Sequence, residues 1–480
     1  MKNLKLTELL LNLTPSELKR FSDFVRSPYY NKNKKLIPAF EFIEDCINSS
    51  DTESLTKENI FKVIYPGEKF NDTNLRSQLS DLKKLCEKFL IVCEYEKNPE
   101  DRKLHLLNSL ASRNAKKNFE VISNETANEL KGNFNKNFDH YLREIGFEKA
   151  RILAKGANVE VNLDRNYYRL SDAIDHYFLS SKLDLINSFL SRKYHVLGSF
   201  KLDLKFTNEI IEFVESNLNE LKKSDPFIYC EYLIYKMMTS AGSDKYFNDL
   251  QSYVIRNIRK YDHAALEQVY FPMINFGFNK VALGEIEYLN KLFQIYKSFE
   301  KRGFYADMEY IQDMDLISIG IAGLRLNKVQ WIEDFTKKYE SKLKSSFKES
   351  TVNLVLSLVS FKKKKYEEAV KYLNKVNYEN SYYYLKSRET LLQIYYEQKE
   401  FVALESLMDS IRHYLKRRRE VLSIHYERYV KFLKYLGMLL KAAEEDKSKI
   451  RVLKKELDKN INVIGREWLL EKVLKLKVKS

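Results

Sequence analysis

Ile321-Ala-Gly-Leu-Arg-Leu326-Asn-Lys-Val-Gln-Trp331, Leu356-Ser-Leu-Val-Ser-Phe361-Lys-Lys-Lys-Lys-Tyr366 and Leu391-Leu-Gln-Ile-Tyr-Tyr396-Glu-Gln-Lys-Glu-Phe401 carry one pattern three times. Ile321, Leu356 and Leu391 stand 35 residues apart in both intervals. Leu326, Phe361 and Tyr396 keep that spacing, as do Trp331, Tyr366 and Phe401. An aliphatic, a second apolar and an aromatic position thus recur in phase between about Ile317 and Met408. A period near 34 with two helices per unit is the mark of helix pairs that cannot bury their apolar faces alone and stack to do so. The pattern speaks to architecture. It names no chemistry.

The totals agree with that architecture. In 480 residues only 13 are Gly and 7 are Pro, too few breakers for anything but a mostly helical chain. With 44% apolar side chains the chain can bury a large core without staples. Its 33 Tyr and 29 Phe read as wedges between helices, with phenol oxygens reaching the rim. Cys46, Cys86, Cys93 and Cys230 form no C-x-x-C pair and no zinc spacing, so buried thiols in a reducing compartment are expected. The opening Met1-Lys-Asn-Leu-Lys-Leu lacks a signal-peptide core, and no run approaches 18 apolar residues. A cytoplasmic protein with no membrane partner, no cofactor and no metal is expected. The formal charge is +15, yet residues 1–100 are neutral, with 16 Lys/Arg and 16 Asp/Glu. The excess therefore lies in 101–480, where it reads first as a solvated face.

Residues 1–100 read as a separate helical domain. Thr14-Pro15-Ser16-Glu17 is a capping box with Pro at the first helical position, opening a helix with Leu18, Phe21, Phe24 and Val25 on one face. A second helix runs through Phe40, Phe42, Ile43 and Ile47. Thr56 caps a third with Ile60, Val63 and Ile64. Asn71 or Asp72 caps a long fourth bearing Leu75, Leu79, Leu82, Leu85, Cys86 and Phe89, and Ile91–Tyr95 reads at most as a short strand. The stretch Ile60 to Gly67 followed by Asn74-Leu75-Arg76 and Leu79 to Leu85 resembles the helix-turn-helix of winged-helix domains in bacterial transcriptional activators. That resemblance implies a reader helix with Arg76, Ser80, Lys83 and Lys84 outward, facing nucleic acid.

From 101 onward the pattern predicts two helices up to Tyr141 with a joint near Lys131-Gly132-Asn133. It predicts a helical hairpin over Leu163–Tyr194 turning at Ser180-Ser181, then helices at Ile210–Leu221, Phe227–Met238 and Tyr246–Ile258. Pro272 and Gly277 read as a junction. Phe361 to Leu373, with Tyr366 and Ala369 between two helices, resembles a tetratricopeptide unit, which implies a right-handed superhelical stack of antiparallel helix pairs over 101–480. A capping helix at about 445–476 closes it. Together with Leu13 to Glu17 and Arg26 to Asn31, Gly465 to Val473 resembles helical-repeat proteins of Bacteroidetes, which implies one intact all-α unit and no particular activity.

No Gly-rich phosphate loop, H-E-x-x-H or nucleophile elbow occurs, and the seven histidines are scattered. Asp172, Asp175 and His176 share a helix but read as surface charge. An enzyme is not expected. Two basic runs stand out, Lys362–Lys365 and Arg412 with Lys416, Arg417, Arg418 and Arg419. The second reads as a helix end complementing the dipole or as a contact for phosphate or an acidic partner. Tyr382-Tyr383-Tyr384 reads as packing. The function expected is a non-catalytic scaffold holding a protein or peptide segment on its concave face, and the alternative is a nucleic-acid-binding regulator.

Overall fold

The computed structural model describes residues 5–49, 51, 53–155, 165–195, 204–377, 380–444, 447–461 and 463–478, with side chains left out at 192–195, 419–425, 443–444, 447–448 and 477–478. The described chain is all-helical. Its sole β-type pairing is an isolated parallel bridge between Ile311 and Leu343. Backbone contacts divide it into two compact units, residues 1–131 with 143–170, and 132–142 with 171–480.

The first unit contains α1 (Lys5–Leu11), α2 (Pro15–Arg26), α3 (Leu36–Asn48), α4 (Lys57–Ile64), α5 (Asp72–Lys97), α6 (Pro99–Ser112), α7 (Lys116–Gly132) and most of α8 (Phe138–Lys155). The capping box forms as its residues dictate. The Thr14 hydroxyl accepts from the Glu17 amide at 3.2 Å, and the Glu17 carboxylate accepts from the Thr14 amide at 2.9 Å. Phe21, Phe40, Ile60, Phe61, Leu75 and Leu82 fill the core of α1–α5. Ile91–Tyr95 is helix and not strand. The buried stripe Leu82, Leu85, Cys86, Phe89 continues to Cys93 at helical spacing, so α5 gains by running on. The Asp101–Tyr141 stretch holds three helices, because Asn114 takes a left-handed φ of 55° and ends α6 early.

The second unit contains most of α9 (Arg165–His195), and α10 (Thr207–Ser216), α11 (Leu218–Ser224), α12 (Pro226–Thr239), α13 (Ser243–Asn257), α14 (His263–Ala282), α15 (Glu287–Arg302), α16 (Phe304–Asp307), α17 (Asp313–Arg325), α18 (Val329–Tyr339), α19 (Ser345–Lys362), α20 (Tyr366–Leu373), α21 (Ser381–Gln398), α22 (Phe401–Arg417), α23 (Arg419–Glu444), α24 (Lys447–Lys459) and α25 (Arg466–Val478). From α12 onward neighbours pack in sequence: α12 on α13 and α14, α14 on α15, α15 on α17, α17 on α18 and α19, α19 on α20 and α21. The series continues as α21 on α22, α22 on α23, α23 on α24 and α24 on α25.

One turn geometry joins four of these pairs. Gly284, Asn327, Lys364 and Lys399 have φ of 93°, 57°, 61° and 62°. In each case the next amide donates five residues back: Glu285 to Lys280, Lys328 to Gly323, Lys365 to Ser360 and Glu400 to Tyr395, at 2.8–3.0 Å. This closure satisfies helix-end carbonyls and reverses the chain within a few residues. Packing across the pairs is close. A Cβ on Gly277 would stand 2.6 Å from Leu292 Cδ2, and one on Gly323 2.4 Å from Ile332 Cδ1.

Four readings of this region change. The helix expected over Ile210–Leu221 is two, α10 and α11, which part at Asn217. The predicted hairpin at Ser180-Ser181 is one continuous helix, α9. Ser180 is buried, and Ser181 Oγ donates to the Tyr177 carbonyl at 2.5 Å, so serine here is absorbed by the helix instead of breaking it. Pro272 and Gly277 lie inside α14, where burial of Leu266, Val269, Tyr270, Met273 and Ile274 outweighs the one missing amide, and Gly277 is the contact with α15. The stretch 445–476 holds two helices, α24 and α25, with Gly465 at φ 64° opening the second. Seven tyrosines are core as read: Tyr261, Tyr270, Tyr288, Tyr296, Tyr305, Tyr383 and Tyr435 are all below 2% exposed, while Tyr29, Tyr168 and Tyr310 are among the exposed ones.

A candidate binding cleft

Asp262 caps α14 by accepting from the Ala265 amide at 2.8 Å. That start sets His263 and Glu267 one turn apart on the same side, His263 Nδ1 3.9 Å from Glu267 Oε1. The His263 ring lies parallel on Phe304, centroids 4.6 Å apart, and its Nε2 is buried without a hydrogen-bond partner. After α16 the chain runs extended. The Ile311 amide donates to the Lys342 carbonyl at 2.9 Å, and Lys342 Nζ donates to the Met308 carbonyl at 2.8 Å. These two bonds pin residues 308–312 against the turn between α18 and α19. The result is a cleft of about 290 Å³ lined by His263, Glu267, Asp307, Glu309, Tyr310 and Lys344, among others.

Glu267, Asp307, Glu309 and Lys344 share this lining. Asp307 lies 3.7 Å from Arg302, and the Lys344 ammonium sits 5.6 Å over the Tyr310 ring. In the first turn of α17, Asp315 is 9% exposed with Oδ2 buried and unpaired. Burial pushes its carboxyl up to about 7, and the charges of Glu267 and Asp313 push the same way. Around it the Tyr270 and Tyr305 hydroxyls lie 3.1 Å apart, and Tyr383 donates to Asp313 at 2.8 Å. Tyr310 in the lining is 46% exposed, and Met314 and Phe347, two residues after Gln312 and three after Lys344 in the chain, are 41% and 43% exposed. Acids in the lining beside the exposed Tyr310 ring suit a cationic side chain flanked by an apolar one. Among the described residues no group of three or more His, Cys, Asp or Glu side chains is placed to hold a metal ion.

None of these cleft residues stood out in the sequence except His263, as one of seven scattered histidines. They come from α14, the 303–312 connector and the start of α19, and no local motif links them. The only available signal was Gly303, at φ 89°, followed by a polar connector that interrupts the repeat.

The sequence-predicted charges sit elsewhere. On α5, Arg76 pairs with Asp72 at 2.6 Å, Lys83 with Glu87, and Lys84 with Asp81 at 3.4 Å, while Ser80 is exposed. Arg412 pairs with Asp409 at 2.6 Å; Lys416 and Arg417 are exposed on the last turn of α22; Arg418 lies 5.6 Å from the Tyr414 ring centroid. Arg419 starts α23, and its side chain lies outside the described residues. In the other run Lys363 pairs with Glu333 at 2.6 Å and Lys365 with Glu368 at 3.3 Å. Tyr384 stacks on Tyr414 at 4.1 Å, and Tyr383 is buried.

His176 also differs from its sequence reading. Its Nδ1 faces the Asp172 backbone carbonyl at 2.7 Å, and its Nε2 faces Asp225 at 3.3 Å, a residue 49 positions away. Asp225 is 2% exposed, and burial raises its carboxyl to about 6. The Tyr141 ring covers the imidazole at 5.2 Å. The four cysteines are unpaired and buried, and burial holds Cys230 at about 12, Cys86 at about 11. Among the described residues, no helix is long and apolar enough to cross a membrane.

No protein-family model matches the chain, and comparison with curated proteins and with solved structures returned no match.

Proposed function

We propose that the second unit is a tetratricopeptide-like, right-handed stack of antiparallel helix pairs and works as a non-catalytic protein–protein interaction scaffold in the cytoplasm. Its ligand is a protein segment that presents a Lys or Arg beside an apolar residue. The cleft of His263, Glu267, Glu309 and Tyr310 carries this reading, with Met314 and Phe347 exposed close to its lining residues in the chain. The stack is supported by the helix-on-next packing from α12 to α25 and by the four left-handed closures. Preformed grooves between rigid helices bind segments without a large ordering cost, which is how such scaffolds gain affinity.

The test is affinity capture of the tagged protein from native lysate after nuclease treatment, beside a Tyr310→Ala/Phe347→Ala variant and a Glu267→Lys/Glu309→Lys variant. A discrete protein retained by the wild type and reduced at least about tenfold in both variants is expected, since truncating buried anchors or reversing paired charge costs roughly 1–3 kcal/mol each. Equal retention by all three proteins would sink the reading.

A further inference from the structure

The net charge is concentrated at one end of the chain. Residues 411–480 contain 20 Lys/Arg and 9 Asp/Glu, a net +11 of the +15 carried by the whole sequence. On α5, Arg76, Lys83 and Lys84 each sit beside a carboxylate. Four cations of α24 do not. Arg451, Lys454, Lys455 and Lys459 form no ion pair among the described residues and line a shallow groove of about 250 Å³. Asp458 is the one acid in that groove, and it lies 4.0 Å from Arg466.

Arg451, Lys455 and Lys459 recur every four residues, which on an α-helix is a rise of about 6 Å per step along one side. The opposite side of α24 is committed to packing, with Ile450, Leu453 and Leu457 buried in the core shared with α23 and α25. Only Val452, at 55%, is a strongly exposed apolar residue of this helix. Val452 alone gives a protein segment one small apolar contact on this side, and a membrane finds no continuous apolar face to insert. A row of unpaired point charges one turn apart matches a chain of phosphates instead.

We propose that α24 is a docking surface for the phosphate backbone of single-stranded nucleic acid, engaged by Arg451, Lys454, Lys455 and Lys459 without base recognition. The surface is separate from the cleft and independent of its function.

The experiment is fluorescence anisotropy of the full-length protein with a labelled oligothymidylate of about twenty nucleotides, titrated between about 50 and 200 mM salt. Three or four phosphate contacts predict a log Kd against log salt slope of about 2–3. Arg451→Glu/Lys455→Glu/Lys459→Glu is expected to weaken binding by more than about tenfold, and the milder Arg451→Gln/Lys455→Gln/Lys459→Gln to weaken it less and flatten the slope. Arg76→Glu/Lys84→Glu on α5 serves as the control and is expected to leave binding unchanged. Circular dichroism on each variant separates lost binding from lost folding. The proposal is overturned if the wild type fails to bind at the lowest salt, or if the α5 variant weakens binding as much as the α24 variants. It is also overturned if polyglutamate or anionic phosphatidylserine vesicles compete as well as the unlabelled oligonucleotide.

Discussion

Asp315 and Glu231 are buried carboxyls held above their ordinary range, to about 7 and about 8, and in both the first cause is loss of solvent. Asn187 donates to Glu231 at 2.5 Å, which offsets only part of that cost. The consequence for stability has a definite sign. Between the unfolded value near 3.8 and the folded value near 7, the folded protein holds the Asp315 proton and the unfolded chain does not. Stability therefore falls as pH rises through that window and levels off above it. Asp315→Asn, which keeps the shape and cannot ionise, is expected to raise the melting temperature at pH 8 relative to the wild type and to leave the two close at pH 4. Thermal melts followed by circular dichroism at both pH values check this. An unchanged pH profile in the variant would mean that Asp315 is ionised in the folded protein. Neither carboxyl was legible in the sequence: Asp315 follows Asp313 and Met314 in what reads as an ordinary acidic first turn, and its burial comes from α14 and α15 folding over it.

Helices were legible where their own residues decide them. Thr14 with Glu17, Asn71 with its amide three residues on, and the stripes of α2 and α5 are local chemistry, and they form as the chain is written. Boundaries set by neighbours were not. Pro272 and Ser180-Ser181 carry breaker signals that packing overrides, while Asn327, Lys364 and Lys399 carry no strong signal and still turn the chain. A non-glycine residue pays about 1 kcal/mol or more to hold the left-handed region. Lys399, exposed and followed by the Glu400-to-Tyr395 bond, is therefore a site where glycine should help. Lys399→Gly is expected to raise unfolding stability by up to about 1 kcal/mol, seen as a higher urea midpoint with unchanged slope. A lower midpoint would show that backbone freedom in the unfolded chain dominates there.

At the scale of the molecule two chemistries are separated by distance along the chain, an acidic cleft at residues 263–344 and an unpaired basic helix at 451–459. Their expected behaviour separates in one preparation. Raising salt from about 50 to 200 mM should release an oligonucleotide while a partner held by apolar anchors stays bound, because screening acts on exposed charge and leaves buried apolar contact nearly untouched. The α24 charge-reversal variant should retain that partner in full; losing both together would make the two surfaces one. The sequence by itself determined the class: few Gly and Pro, helical apolar periodicity and a 35-residue phase are properties of the chain alone, and they lead to an all-helical protein. It also determined where the charge lies. Only the tertiary structure decided which charges are neutralised, which carboxyls are buried, and that residues 263, 267, 309, 310 and 344 meet in one cleft. Pairing and burial depend on which helix faces which, a long-range outcome that no window of sequence contains.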